Sequence, residues 1–165
     1  MHRKKARKLS LLKKALFAIA VLLGLGLVSV EISNFLNLDN YVEADTVDVD
    51  GNMIVVGADC NAIIADTSQE RADSIQLGIE HRIDERPNTH DVFVSAFTTF
   101  NISIDSVTMD RFDGKYYYSN IILKTKDKTL KIDSRPSDAI AIALRADAPI
   151  YLNKTLLKEK GEKIC

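Results

Sequence analysis

Cysteine is scarce in this chain of 165 residues: Cys60 and Cys165 are the only two, and neither stands in a CxxC or a Cys/His cluster. That excludes a zinc knuckle or ribbon, which needs several closely spaced ligands. An oxidising compartment would allow a bridge between the two, but Cys165 closes the sequence and is expected to stay free. No repeat of solenoid period and no low-complexity tract occurs, so an array of small units is excluded as well. Acid is missing from the first thirty positions, which instead hold Arg3, Lys4, Lys5, Arg7, Lys8, Lys13 and Lys14, seven of the 22 basic residues. The other 15 face all 23 acidic residues, so a net charge of −8 lies behind the overall −1. An acidic body repels polyphosphates and argues against a broad nucleic-acid-binding face.

The N-terminus carries what the rest lacks. Residues 1–14 form a basic region, and an uncharged apolar run from Ala15 to Val30 continues through Ile32, Phe35 and Leu36. A bilayer core takes about 20 apolar residues and a secretory h-region about 7 to 15. Basic flanks on one side only give the positive-inside pattern. Residues 15–36 are therefore read as a membrane anchor that leaves the remainder on the extracytoplasmic side. Secretion after cleavage is the alternative. Residues 37–43 read as a linker, 44–161 as one domain and 162–165 as a tail.

Within the domain, alternation over Thr46–Val49 and Met53–Val56 around Asp50-Gly51-Asn52 predicts a hairpin. Ile63 and Ile64 close another short strand. Thr67 and Glu70 have capping-box spacing, with Ala72, Ile75 and Ile79 following on one face, so a helix is expected over 68–82 with His81 at its solvated end. Val92, Phe93, Ala96, Phe97 and Phe100 form an apolar stripe, predicting a helix over 89–100 that faces a core. Ile102 and Ile104 run out of phase with Val107 and Met109, which predicts a bulge near Asp105 and Ser106. Turns at Asp113-Gly114 and Lys126–Lys128 join three antiparallel strands. Pro136 opens a helix through Ala139–Leu144 that is apolar on all sides and hence buried. A strand over Pro149–Leu152 and a Lys-rich helix from Lys154 to about Gly161 complete the pattern. The fold class is α+β: a mixed, largely antiparallel sheet with hairpins against three to four helices.

Two places break the apolar patterning alike. Arg86-Pro87-Asn88-Thr89-His90-Asp91 and Arg135-Pro136-Ser137-Asp138 each set an Arg-Pro pair, a hydroxyl and an Asp at the start of an apolar helix. Free N–H groups at a helix N-terminus beside Arg favour anions, so each is a candidate phosphate or carboxylate site. Asp133 adds a carboxylate beside the second.

Arg86–Asp91, Asp133–Arg145 and Ala148-Pro149-Ile150-Tyr151 resemble the bifunctional nuclease domain family, over about Ala44 to Gly161. At Ala62–Thr67 the chain departs from that family's Trp- and Gly-containing run. The resemblance implies metal-assisted phosphodiester hydrolysis of DNA or RNA. Asp91, Asp133 and Asp138 would hold a divalent metal, Mg2+ or Mn2+, and His90 would act as general base or acid. Arg86, Thr89, Arg135 and Ser137 would bind the substrate phosphate.

The same residues permit a scaffold instead. Arg135 and Asp138 lie at i, i+3, Asp91 and Asp138 complement helix N-termini, and Thr89 or Ser137 would only cap. On that reading the protein is a membrane-tethered module recognising an anionic ligand or a partner subunit. Exposed sheet edges and the Tyr116–Tyr118 run point to a homo-oligomer.

Overall fold

A computed structural model describes residues 38–165. The basic region and the segment read as an anchor, residues 1–36, lie outside the described residues. Among the described residues no helix is long and apolar enough to cross a membrane.

Among the described residues the strands are β1 (Tyr41–Glu43), β2 (Thr46–Asp50), β3 (Met53–Ala58), β4 (Asn61–Asp66), β5 (Ser103–Phe112), β6 (Tyr117–Lys124), β7 (Thr129–Ser134), β8 (Ile150–Asn153) and β9 (Glu162–Lys163). The α-helices among these residues are α1 (Gln69–Ile79), α2 (Thr89–Thr99), α3 (Pro136–Arg145) and α4 (Lys154–Lys160). Two sheets form rather than one: a five-stranded sheet in the order β1-β8-β5-β6-β7 and a four-stranded sheet in the order β2-β3-β4-β9. Among the described residues only the β5–β8 pairing is parallel. The α+β class and the mixed, mainly antiparallel pairing therefore hold.

The hairpin of β2 and β3 turns through Gly51 at φ +60°, a conformation that glycine adopts without steric cost. The bulge expected near Asp105 lies between Ile104 and Ser106, and a second falls between Met109 and Arg111. Helix α3 is buried from Ala139 to Ala143. It packs on α1, α2, β5 and β6, and meets Ile75, Val107 and Ile121 in one core. Gly78 permits the close approach of α1. A Cβ there would stand 3.0 Å from Leu144 Cβ and 3.1 Å from Arg145 Nη1.

Four expectations need correction. Thr67 does not cap α1: Ser68 is the N-cap, with no side-chain cap bond, and the helix ends at Ile79. His81 follows in the left-handed region at φ +48°, and Arg82 N–H bonds Leu77 O at 2.9 Å, a Schellman ending. The stripe on α2 faces the core only in part: Phe93 and Phe97 turn inward as expected, and Val92, Ala96 and Phe100 do not. Val92 and Phe100 are 58% and 75% exposed, whereas Phe93, Val94 and Phe97 pack against the core. The rotation follows from Asp91, the buried residue of α2, whose ion pair with α3 sets which face turns in.

Residues 41–43, read as linker, are instead an edge strand paired with β8. Tyr41 Oη donates to Asp110 Oδ1 at 2.8 Å, and burial, reinforced by that carboxylate, pushes its phenol up to about 12. Nor is the tail free. Strand β9 pairs with β4, and Cys60 and Cys165 form a disulfide.

Candidate active site at two helix openings

Both Arg-Pro segments open helices, and the two openings meet. At α2, Asn88 is the N-cap, its Oδ1 accepting from His90 N–H at 2.9 Å and from Asp91 N–H at 3.2 Å. Asp91 Oδ2 accepts in return from Asn88 N–H at 2.7 Å, which completes a capping box. At α3, Arg135 is the N-cap and Pro136 takes the first turn, where its missing N–H costs nothing. Asn88 and Arg135, not Thr89 or Ser137, therefore occupy the cap positions.

Between the openings lies a cleft of about 510 Å3. Its polar rim comprises Glu70, Arg71 and Ser74 of α1, Asn88, Thr89 and His90 at α2, and Asp133, Arg135 and Asp138 at β7 and α3. Phe93, Ile121, Ile132 and Ile142 supply apolar walls. Asp138 joins the two helices. Its Oδ2 accepts from Arg135 Nε at 2.6 Å, and its Oδ1 stands 3.4 Å from His90 Nε2. Burial lowers the His90 pKa from 6.5; Asp138 opposes the shift and Arg145 adds to it, so the ring is neutral near pH 7.

Beneath the rim, Arg145 ties three elements together. Its Nε donates to Asp91 Oδ1 at 2.5 Å, Nη1 to Ser74 O at 2.9 Å and to Ala141 O at 2.8 Å, and Nη2 to Ser74 Oγ at 3.2 Å. Burial alone would raise the Asp91 carboxyl, but Arg145 and the Asn88 N–H hold it below the ordinary range.

The candidate residues thus divide. Thr89, His90, Asp133, Arg135 and Asp138 line the cleft, whereas Asp91 is sealed against Arg145. Arg86 is exposed and Ser137 buried, and neither lines the cleft. Asp133 reaches only the rim by its strand position. It pairs in register with Asn120, and the sheet's pleat sends that pair to the face opposite Ile121 and Ile132. Asp91, Asp133 and Asp138 therefore do not converge. Among the described residues no three His, Cys, Asp or Glu side chains are placed to hold a metal ion. This donor set does not fit the metal that the carboxylates suggested.

Glu70, Arg71, Ser74 and Asn88 were missed as site residues. A helical wheel puts Glu70 and Arg71 one turn before Ser74 on one face of α1, but nothing local marks that face as part of a site. Asn88 had a readable signal in its three-residue spacing to Asp91.

The bifunctional nuclease domain matches residues 61–164. Two uncharacterized proteins, from two strains of Mycobacterium tuberculosis, are each 33% identical over 86 residues, which cover 52% of this chain and 49% of theirs. The chain thus spans about half the length of the curated relatives it matches.

Proposed function

Since the chain belongs to the bifunctional nuclease domain family, we propose that the cleft between α2 and α3 binds and hydrolyses phosphodiesters of single-stranded or unstructured DNA or RNA. One observation carries the reading: His90 and the Arg135–Asp138 pair, from helices far apart in sequence, edge the same accessible hollow. Arg135, with 60% of its side chain exposed, and Arg71 supply positive charge to a phosphate in an otherwise acidic body. Phe93 and Ile132, both half-buried, provide apolar surface against which an unpaired base can lie, as single-strand binders require. Asp138 orients both Arg135 and the His90 ring, and the ring takes part in proton transfer at the phosphate. No step is assigned to a protein-held metal, because the carboxylates are dispersed or already paired.

Cleavage of a labelled single-stranded oligonucleotide by the purified protein, with and without EDTA, tests the proposal. Cleavage that resists the chelator favours side-chain chemistry. Cleavage that needs added cation gives the metal to the substrate phosphates. Absence of cleavage with retained oligonucleotide binding favours the second reading, a tethered module for an anionic ligand. That reading draws support from Asp138, whose two oxygens already face Arg135 and His90.

We further propose an extracytoplasmic location behind the N-terminal segment. The Cys60–Cys165 disulfide supports it, because such bridges persist in oxidising compartments. Self-association is proposed through α2 and its C-cap, where exposed Val92 and Phe100 supply apolar surface.

A further inference from the structure

We infer that Ser74 is a positioning residue that fixes where His90 carries its proton, leaving Nδ1 bare and the N–H on Nε2, the nitrogen facing Asp138 and the cleft. Three nitrogens surround the Ser74 hydroxyl: Arg145 Nη2 at 3.2 Å, Asn88 Nδ2 at 3.1 Å and His90 Nδ1 at 2.8 Å. A hydroxyl has one proton to give and two lone pairs to receive with. Guanidinium only donates. The Asn88 amide is fixed too, since its Oδ1 accepts the His90 and Asp91 N–H groups of the capping box and its Nδ2 must turn to Ser74. Both lone pairs are therefore taken, and the hydroxyl proton has one remaining acceptor, Nδ1. The neutral ring then holds its hydrogen on Nε2, directed at Asp138 Oδ1 3.4 Å away.

Two consequences follow. Ser74–His90–Asp138 has the order of a hydrolase triad, but Ser74 is 6% exposed and its lone pairs are engaged, so it is no nucleophile. In addition, a ring with its hydrogen on Nε2 meets an entering phosphate as a hydrogen-bond donor. This consequence rests on the proposed function, and it narrows the role of His90 at neutral pH from base or acid to hydrogen-bond donor, because only the doubly protonated ring is an effective acid.

The test is nuclear magnetic resonance of the full chain with 15N in its three histidines, at a pH where the rings are neutral, with the His90 signals identified by their loss in His90→Gln. The inference expects an Nε2–H and an unprotonated Nδ1 shielded by an accepted hydrogen bond. Ser74→Ala should move the Nδ1 resonance downfield, toward that of an imidazole nitrogen with no donor. An Nδ1–H in the parent protein, or an unmoved Nδ1 signal in folded Ser74→Ala, would overturn it. If that variant does not fold, the parent spectrum decides by itself. The readout needs no substrate, so a protein that shows the Nε2–H form and cleaves nothing counts against nuclease activity alone.

Discussion

Arg145 and Asp91 hold each other across the contact between α3 and α2, Nε to Oδ1 at 2.5 Å, with 8% and 5% of their side chains exposed. The pair lies beneath the cleft and not in it. It sets the rotation of α2, and through the capping box it sets the direction of His90.

Asp91→Ala should therefore destabilise the fold by about 3–5 kcal/mol, the usual cost of stranding one member of a buried ion pair. Asp138→Asn, at a partly exposed pair, should change stability by less than about 1 kcal/mol. Urea unfolding followed by circular dichroism separates them. Equal losses would mean that the scaffold and the cleft are not distinct.

Burial lowers the His90 pKa below 6.5, whereas the unfolded chain takes up its proton at the ordinary value. Stability present above pH 6.5 should decline as pH falls from there toward the folded pKa of His90. Asp91 is held below 3.8, so its contribution is lost lower still, as pH falls through its folded pKa. His90→Gln should flatten the upper limb of a stability–pH curve and leave the lower one. An unchanged upper limb would show that His90 does not titrate differently on folding.

The Cys60–Cys165 bridge links residues 105 apart and anchors β9 to β4. Reduction, or serine at both positions, should cost about 2–4 kcal/mol. The check is the urea midpoint with and without reductant. A midpoint that reductant leaves in place would mean that the loop adds nothing to stability.

Much of this architecture is legible in the residues. Period-two alternation and the Gly51 and Gly114 turns mark the hairpins, Pro136 marks the start of α3, and the phase break at Asp105 marks a bulge. What local pattern misses is set by partners distant in sequence. The outward turn of Val92 and Phe100 depends on an ion pair to Arg145, 54 residues beyond Asp91. Tyr41–Glu43 is a strand because β8 offers an edge, and Cys165 is tied down because β9 brings it to Cys60. The site divides in the same way. Arg-Pro openings point to His90, Arg135 and Asp138, but spacing alone cannot separate Asp91, which closes a buried pair, from Asp138, which faces the cleft.

Gly78→Ala should cost about 1–3 kcal/mol through overpacking, because the added methyl meets Leu144 and the Arg145 guanidinium. Thermal unfolding measures it. A neutral result would show that α1 and α3 can separate without disturbing Arg145.

The most direct measurement compares cleavage of a single-stranded oligonucleotide by the parent protein, His90→Ala and Arg135→Ala at equal folded concentration. The cleft as active site requires cleavage by the parent and a loss of about 100-fold or more in His90→Ala, with Arg135→Ala also impaired and the unfolding midpoints of both retained. Undiminished cleavage in both variants, or none by the parent, would contradict it.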